Sequence, residues 1–90
     1  MSDQCSWSVV YSQSCVRTLK KLDPQIAVRI RRTLVALAAT GDPRSRGKAL
    51  TGRLSGLWRY RVGDDRVVCA LDDGELTVLV IDLGHRSDIY

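Results

Sequence analysis

The stretch from Leu57 to Leu71 constrains the fold most. In Trp58-Arg59-Tyr60-Arg61-Val62, apolar and basic residues alternate, which is the two-residue period of a β-strand with one face in a core. Trp58, Tyr60 and Val62 fall on that face, and Arg59 and Arg61 on the other. Gly63-Asp64 supplies turn chemistry, and Val67 to Leu71 reads as the returning strand. With a two-residue loop, Val62 pairs with Asp65 and Arg61 with Arg66, so Arg59, Arg61 and Arg66 share one face of a hairpin. Like charges directly opposite each other cost stability, and a face that carries them anyway reads as an anion-binding surface. A three-residue loop would turn Arg66 to the other face. Trp58 and Tyr60 suit either a stacking platform for bases or a core, and alternation favours the core.

The rest of the chain supplies a cover for that core. Trp7, Val9 and Tyr11 alternate over Ser6 to Tyr11 and predict a first strand. Ser12 or Ser14 can cap a short helix whose apolar stripe is Cys15, Leu19 and Leu22. Asp23-Pro24 is a helix-start signal, with aspartate at the N-cap and proline at the first turn. Ile26, Ile30, Leu34 and Leu37 then repeat at helical spacing until Thr40-Gly41-Asp42-Pro43 stops the helix. Two helices joined so closely form a hairpin that covers one face of a sheet. Residues 42–56 read as a loop with four basic residues and three glycines. It can wrap a phosphate backbone, or be a plain connector pinned by Leu50 and Leu54. Leu76 to Leu83 is nearly all apolar, as expected of a strand buried on both faces.

Ninety residues make one domain, spanning 1–90. The charge is uneven. Residues 17–66 hold thirteen Arg or Lys against four acids, a net of +9, and residues 67–90 carry a net of −4. A basic block of this size is the footprint of a polyanion partner or of a solvated surface. No apolar run approaches the roughly 20 residues of a membrane span. The first residues carry no secretion-signal pattern, so a cytoplasmic location is expected, with no membrane partner. Cys5, Cys15 and Cys69 lack metal-ligand or disulfide spacing, and Cys15 and Cys69 read as small buried hydrophobes. With one histidine and no cysteine cluster, no metal site and no cofactor are expected.

The element order β-α-α-β-β-β, an α+β domain with a mainly antiparallel four-stranded sheet under a helix hairpin, resembles the RelE/ParE toxin superfamily. Four stretches carry the resemblance: Leu19 to Leu22 with Lys20-Lys21; Lys48-Ala49-Leu50-Thr51-Gly52; Trp58 to Val68; and Gly84-His85-Arg86-Ser87-Asp88-Ile89-Tyr90. RelE-like members are toxins of toxin–antitoxin pairs and cut messenger RNA in the ribosomal A site. ParE-like members share the fold, lack that catalytic set and poison DNA gyrase.

The resemblance implies a RelE-like mRNA interferase, the toxin of a type II system, with a metal-independent site of Arg59, Arg61, Arg66, Arg86 and Tyr90. Arg44, Arg46, Lys48 and Arg53 are the expected contacts to RNA and ribosome. Attack of a 2′-OH on the neighbouring phosphate passes through a phosphorane with extra negative charge, which fixed guanidinium groups stabilise. Tyr90 can stack on a base. Relatives often have lysine where this chain has Arg59 and Arg61, and arginine cannot take a proton. His85 is the residue whose ordinary pKa suits proton transfer near neutrality. The implied partners are a RelB-like antitoxin in a hetero-oligomer, the ribosome and mRNA, with operator DNA bound only by the toxin–antitoxin complex. The alternatives are a gyrase poison and a non-catalytic antitoxin- and operator-binding member of the fold.

Overall fold

The computed structural model describes residues 7–85. Its strands and helices run β1 (Ser8–Tyr11), α1 (Gln13–Lys21), α2 (Pro24–Ala39), β2 (Lys48–Ala49), β3 (Leu57–Val62), β4 (Asp65–Asp72) and β5 (Thr77–His85). Short 3-10 turns at Pro43–Arg46 and Gly52–Leu54 flank β2. Among the described residues, no helix is long and apolar enough to cross a membrane.

The helix starts follow from local chemistry. The Ser12 hydroxyl accepts the Cys15 N–H at 3.3 Å. The Asp23 carboxylate accepts the Gln25 N–H at 2.8 Å, with Pro24 in the first turn. Each satisfies a donor that the helix leaves unpaired, worth about 1 kcal/mol. The buried stripes are Cys15 and Leu19 on α1, and Ala27, Ile30, Leu34, Leu37 and Ala38 on α2. Both helices lie on one face of the sheet and meet Tyr60, Val62, Val67, Cys69, Val78 and Val80. Ile30 and Leu34 are fully enclosed, so truncating either to alanine costs about 2–5 kcal/mol.

The sheet order is β1-β5-β4-β3-β2. The three long strands form an antiparallel meander, and β1 joins β5 in parallel, with Ser8 opposite Thr77 and Tyr11 opposite Val80. The expectation of four strands is corrected to five. Lys48–Ala49 lies within the stretch read as a loop, yet it pairs antiparallel with Trp58 and Arg59. Two residues are too short to show a period. The reading of β5 as buried on both faces is also corrected. Val78 and Val80 are enclosed, while Leu79 is 38% exposed, because the helices cover only one face. On the uncovered face Leu57, Ala70, Leu79 and Val10 form one row across four strands.

Candidate functional site

The β3–β4 hairpin closes with the two-residue turn Gly63-Asp64. Gly63 has φ +62°, and no other residue of that turn has positive φ, the pattern of a type II′ turn. Val62 faces Asp65 and Arg61 faces Arg66. With Arg59 two residues back, three guanidinium groups stand on the sheet face away from the helices. Strand β2 brings Lys48 opposite Arg59, and the turn before it brings Arg46. Arg46, Lys48, Arg59, Arg61 and Arg66 together line one concavity of about 190 Å³.

The wall of this cleft is fixed from behind by Gly47. A Cβ there would lie 2.6 Å from Tyr60 Cε1 and 2.9 Å from Cζ. Glycine lets the Arg46–Lys48 backbone pass against the buried Tyr60 ring, whose hydroxyl donates to the Pro43 carbonyl at 2.9 Å. One face of β3 thus anchors the chain segment that supplies cations to the other face.

The expected site residues divide into three groups. Arg46, Lys48, Arg59, Arg61 and Arg66 are brought together. Arg44 points elsewhere. It makes a two-pronged ion pair with Asp73, both nitrogen–oxygen distances being 2.8 Å, and its guanidinium lies 5.8 Å from the centre of the Trp58 ring. The shared hydrogen bonds raise the Arg44 pKa and lower that of Asp73. Arg53 sits in the Gly52–Leu54 turn and does not line the cleft. His85 is the last residue of β5, in register with Asp65 and next to the Gly84–Arg66 pair. Arg86 and Tyr90 lie outside the described residues. Tyr60 is core, as alternation predicts, and Trp58 packs half-buried against that core.

Sequence reasoning missed a second feature. Trp7, Val9, Tyr11, Arg31, Val35 and Ala38 help line a groove of about 440 Å³ between the outer edge of β1 and helix α2. The Tyr11 hydroxyl is buried there with no hydrogen-bond partner, and Val35 is 60% exposed. The exposed valine at a position off the helix stripe was the available signal. Among the described residues, no group of three or more His, Cys, Asp or Glu could hold a metal ion.

The chain is similar to known toxins of toxin–antitoxin systems. A family model described as the ParE toxin of the type II toxin–antitoxin system parDE matches residues 9–90. The chain is 34% identical over 90 residues to a Mycobacterium tuberculosis protein named Toxin RelE, covering all of this chain and 92% of that one. It is 33% identical over 88 residues to Toxin RelG of the same organism, covering 93% and 95%. The fold superposes on the toxin–antitoxin complex RelBE2 of M. tuberculosis with TM-score 0.82 and 28% identity, over 92% of this chain and 94% of that one.

Proposed function

The chain belongs to the RelE/ParE toxin family of type II toxin–antitoxin systems, and on that premise we propose that it is a ribosome-dependent endoribonuclease that cuts messenger RNA in the A site. One observation carries the reading: five cationic side chains line a single small concavity. A folded domain gains nothing by holding like charges together. Cations fixed before the reaction have no reorganisation to undergo as charge develops on a phosphorane, and one well-aimed donor is worth roughly 3–4 kcal/mol.

In the proposed reaction the 2′-oxygen attacks the adjacent phosphorus and loses its proton. The bond to the 5′-oxygen breaks, and that oxygen gains a proton. The products are a 2′,3′-cyclic phosphate and a 5′-hydroxyl. Arg59, Arg61 and Arg66 hold the non-bridging oxygens, while Arg46 and Lys48 hold the strand. Guanidinium groups cannot carry the protons, and we assign one transfer to His85. Its backbone position one step from the Gly84–Arg66 pair supports this. Arg86 and Tyr90 complete the proposed site, Arg86 as a further cation and Tyr90 as a stacking group.

We propose a cognate antitoxin as the resident partner. The M. tuberculosis relative was solved as such a complex. An acidic antitoxin segment over the cleft would neutralise it, and an acceptor laid along β1 would satisfy the Tyr11 hydroxyl.

The test is primer extension on a defined message with purified protein, with and without programmed ribosomes. Cuts only with ribosomes, at A-site codons, are the expected result. Alanine at Arg61 or Arg66 lowers the rate by about 10²–10³-fold. Absence of cuts, with gyrase supercoiling inhibited instead, would replace this reading with the ParE-like one.

A further inference from the structure

The cationic cleft does not end at the hairpin. Arg46 and Arg61 also line a second concavity of about 360 Å³, together with Thr33, Ala36 and Tyr60. Thr33 in turn lines a third, of about 480 Å³, with Gln25, Val28, Arg29 and Arg32. The three hollows share lining residues in sequence, Arg46 and Arg61 and then Thr33, and so follow one another from the cleft to α2 as one basic trough. Between Gln25 and Ala36 the helix contributes roughly 16 Å to its length. An independent contact fixes its course: a Cβ on Gly63 would meet Arg29 Nη1 at 2.8 Å. The Arg29 guanidinium therefore overhangs the turn of the very hairpin that carries Arg61 and Arg66.

The trough has one sign of charge. Its lining includes Arg29, Arg32, Arg46, Lys48, Arg59, Arg61 and Arg66, and no acidic side chain. Among the described residues, neither Arg29 nor Arg32 is ion-paired to a carboxylate. Arg31, on the same helix, turns away into the groove beside β1. Helix α2 thus presents two arginines to the trough and one to the opposite side.

We propose that this trough carries the RNA strand that runs on from the cut phosphate, with Arg29 and Arg32 binding its backbone several nucleotides from the reaction. A string of neighbouring hollows that begins at the reacting phosphate suits one flexible chain, whereas a flat basic face would suit a duplex. The proposal rests on the RNA-cleaving reading of the cleft, and the experiment separates the two.

Uncleavable 2′-O-methyl RNA of three and nine nucleotides is titrated against the full chain over a salt series, followed by fluorescence anisotropy. The nonamer binds more tightly and with a steeper salt slope than the trimer. In Arg29→Gln/Arg32→Gln the nonamer slope falls by about 1.4, two charges at about 0.7 each for single strands, while trimer binding is unchanged. Arg31→Gln loses neither. Arg61→Gln weakens the trimer, and failure of that arm overturns the RNA reading of the cleft, and the trough with it. An unchanged nonamer slope in the double variant, with the trimer still dependent on Arg61, overturns the trough alone. A loss seen only on programmed ribosomes assigns Arg29 and Arg32 to ribosomal RNA and overturns the proposal.

Discussion

Arg61→Gln is expected to stabilise the fold while it disables the site. Arg61 is exposed, so its loss removes little packing. It stands directly across from Arg66 and shares its concavity with Arg46 and Arg59. For two unit charges about 7 Å apart the repulsion is about 0.6 kcal/mol in water. The Debye length is about 30 Å at 0.01 M salt and about 3 Å at 1 M, so the two pairs with Arg46 and Arg59 come to roughly 1 kcal/mol at low salt and about 0.1 kcal/mol at high salt. For a domain of this size 1 kcal/mol moves Tm by about 4–8 °C. Calorimetry should therefore show Arg61→Gln melting about 5 °C above the parent chain in 0.01 M salt and within about 1 °C of it in 1 M salt. Ribosome-dependent cleavage falls by about 10²–10³-fold in the same protein. Arg53→Gln, outside the cleft, shifts neither quantity. A gain of equal size at both salt concentrations, or a variant that melts lower at 0.01 M, would refute the claim that the cleft stores electrostatic repulsion.

Three further outcomes are expected. Gly47→Ala drives a methyl into the Tyr60 ring and costs about 1–3 kcal/mol, read from the urea midpoint, with cleavage falling as Arg46 and Lys48 shift. Tyr60→Phe leaves the Pro43 carbonyl without its donor and costs about 1–2 kcal/mol, read from the urea midpoint, with cleavage within about twofold of the parent. Burial pushes the Cys69 thiol up to about 12 and raises Cys15, Tyr11 and Tyr60 as well. These groups fold in their neutral forms, so their stabilising effect is complete below the unfolded cysteine value of about 8.5 and is lost as pH rises towards 12. Urea midpoints should fall steadily from pH 9 to 11, and Cys69→Ala should lessen the slope by up to about 1.4 kcal/mol per pH unit.

The parts of the fold that the sequence made legible are those set by neighbours in the chain. Gly63-Asp64 offers a two-residue turn, and the observed pairing of Val62 with Asp65 selects it over a three-residue loop and sets the Arg61–Arg66 row. Asp23-Pro24 fixes the start of α2 for the same local reason. What escaped depends on distant partners. Arg44 looks like any other cation of its basic segment, and only Asp73, 29 residues on, takes it out of reach of the cleft. Lys48–Ala49 becomes a strand because β3 offers an edge, not because of its own pattern. Leu79 reads as buried among apolar neighbours, yet its exposure is decided by the helices' choice of the other face. Arg29 and Arg31, two residues apart, are separated by the turn of a helix into different grooves.

The parallel pairing of β1 with β5 bears on how the protein is made. Strand β5 joins β1 to the rest of the sheet, and it is the last of the described strands to be synthesised. Ser8 waits for Thr77, 69 residues later, and Arg66 gains its neighbour Gly84 only when β5 emerges. Contacts this remote in sequence form slowly because a long loop must close first. At about 5–20 residues per second, the nascent chain spends most of its synthesis without a complete sheet. Until β5 is made, β1 has no neighbour in the sheet and β4 lacks one of its two.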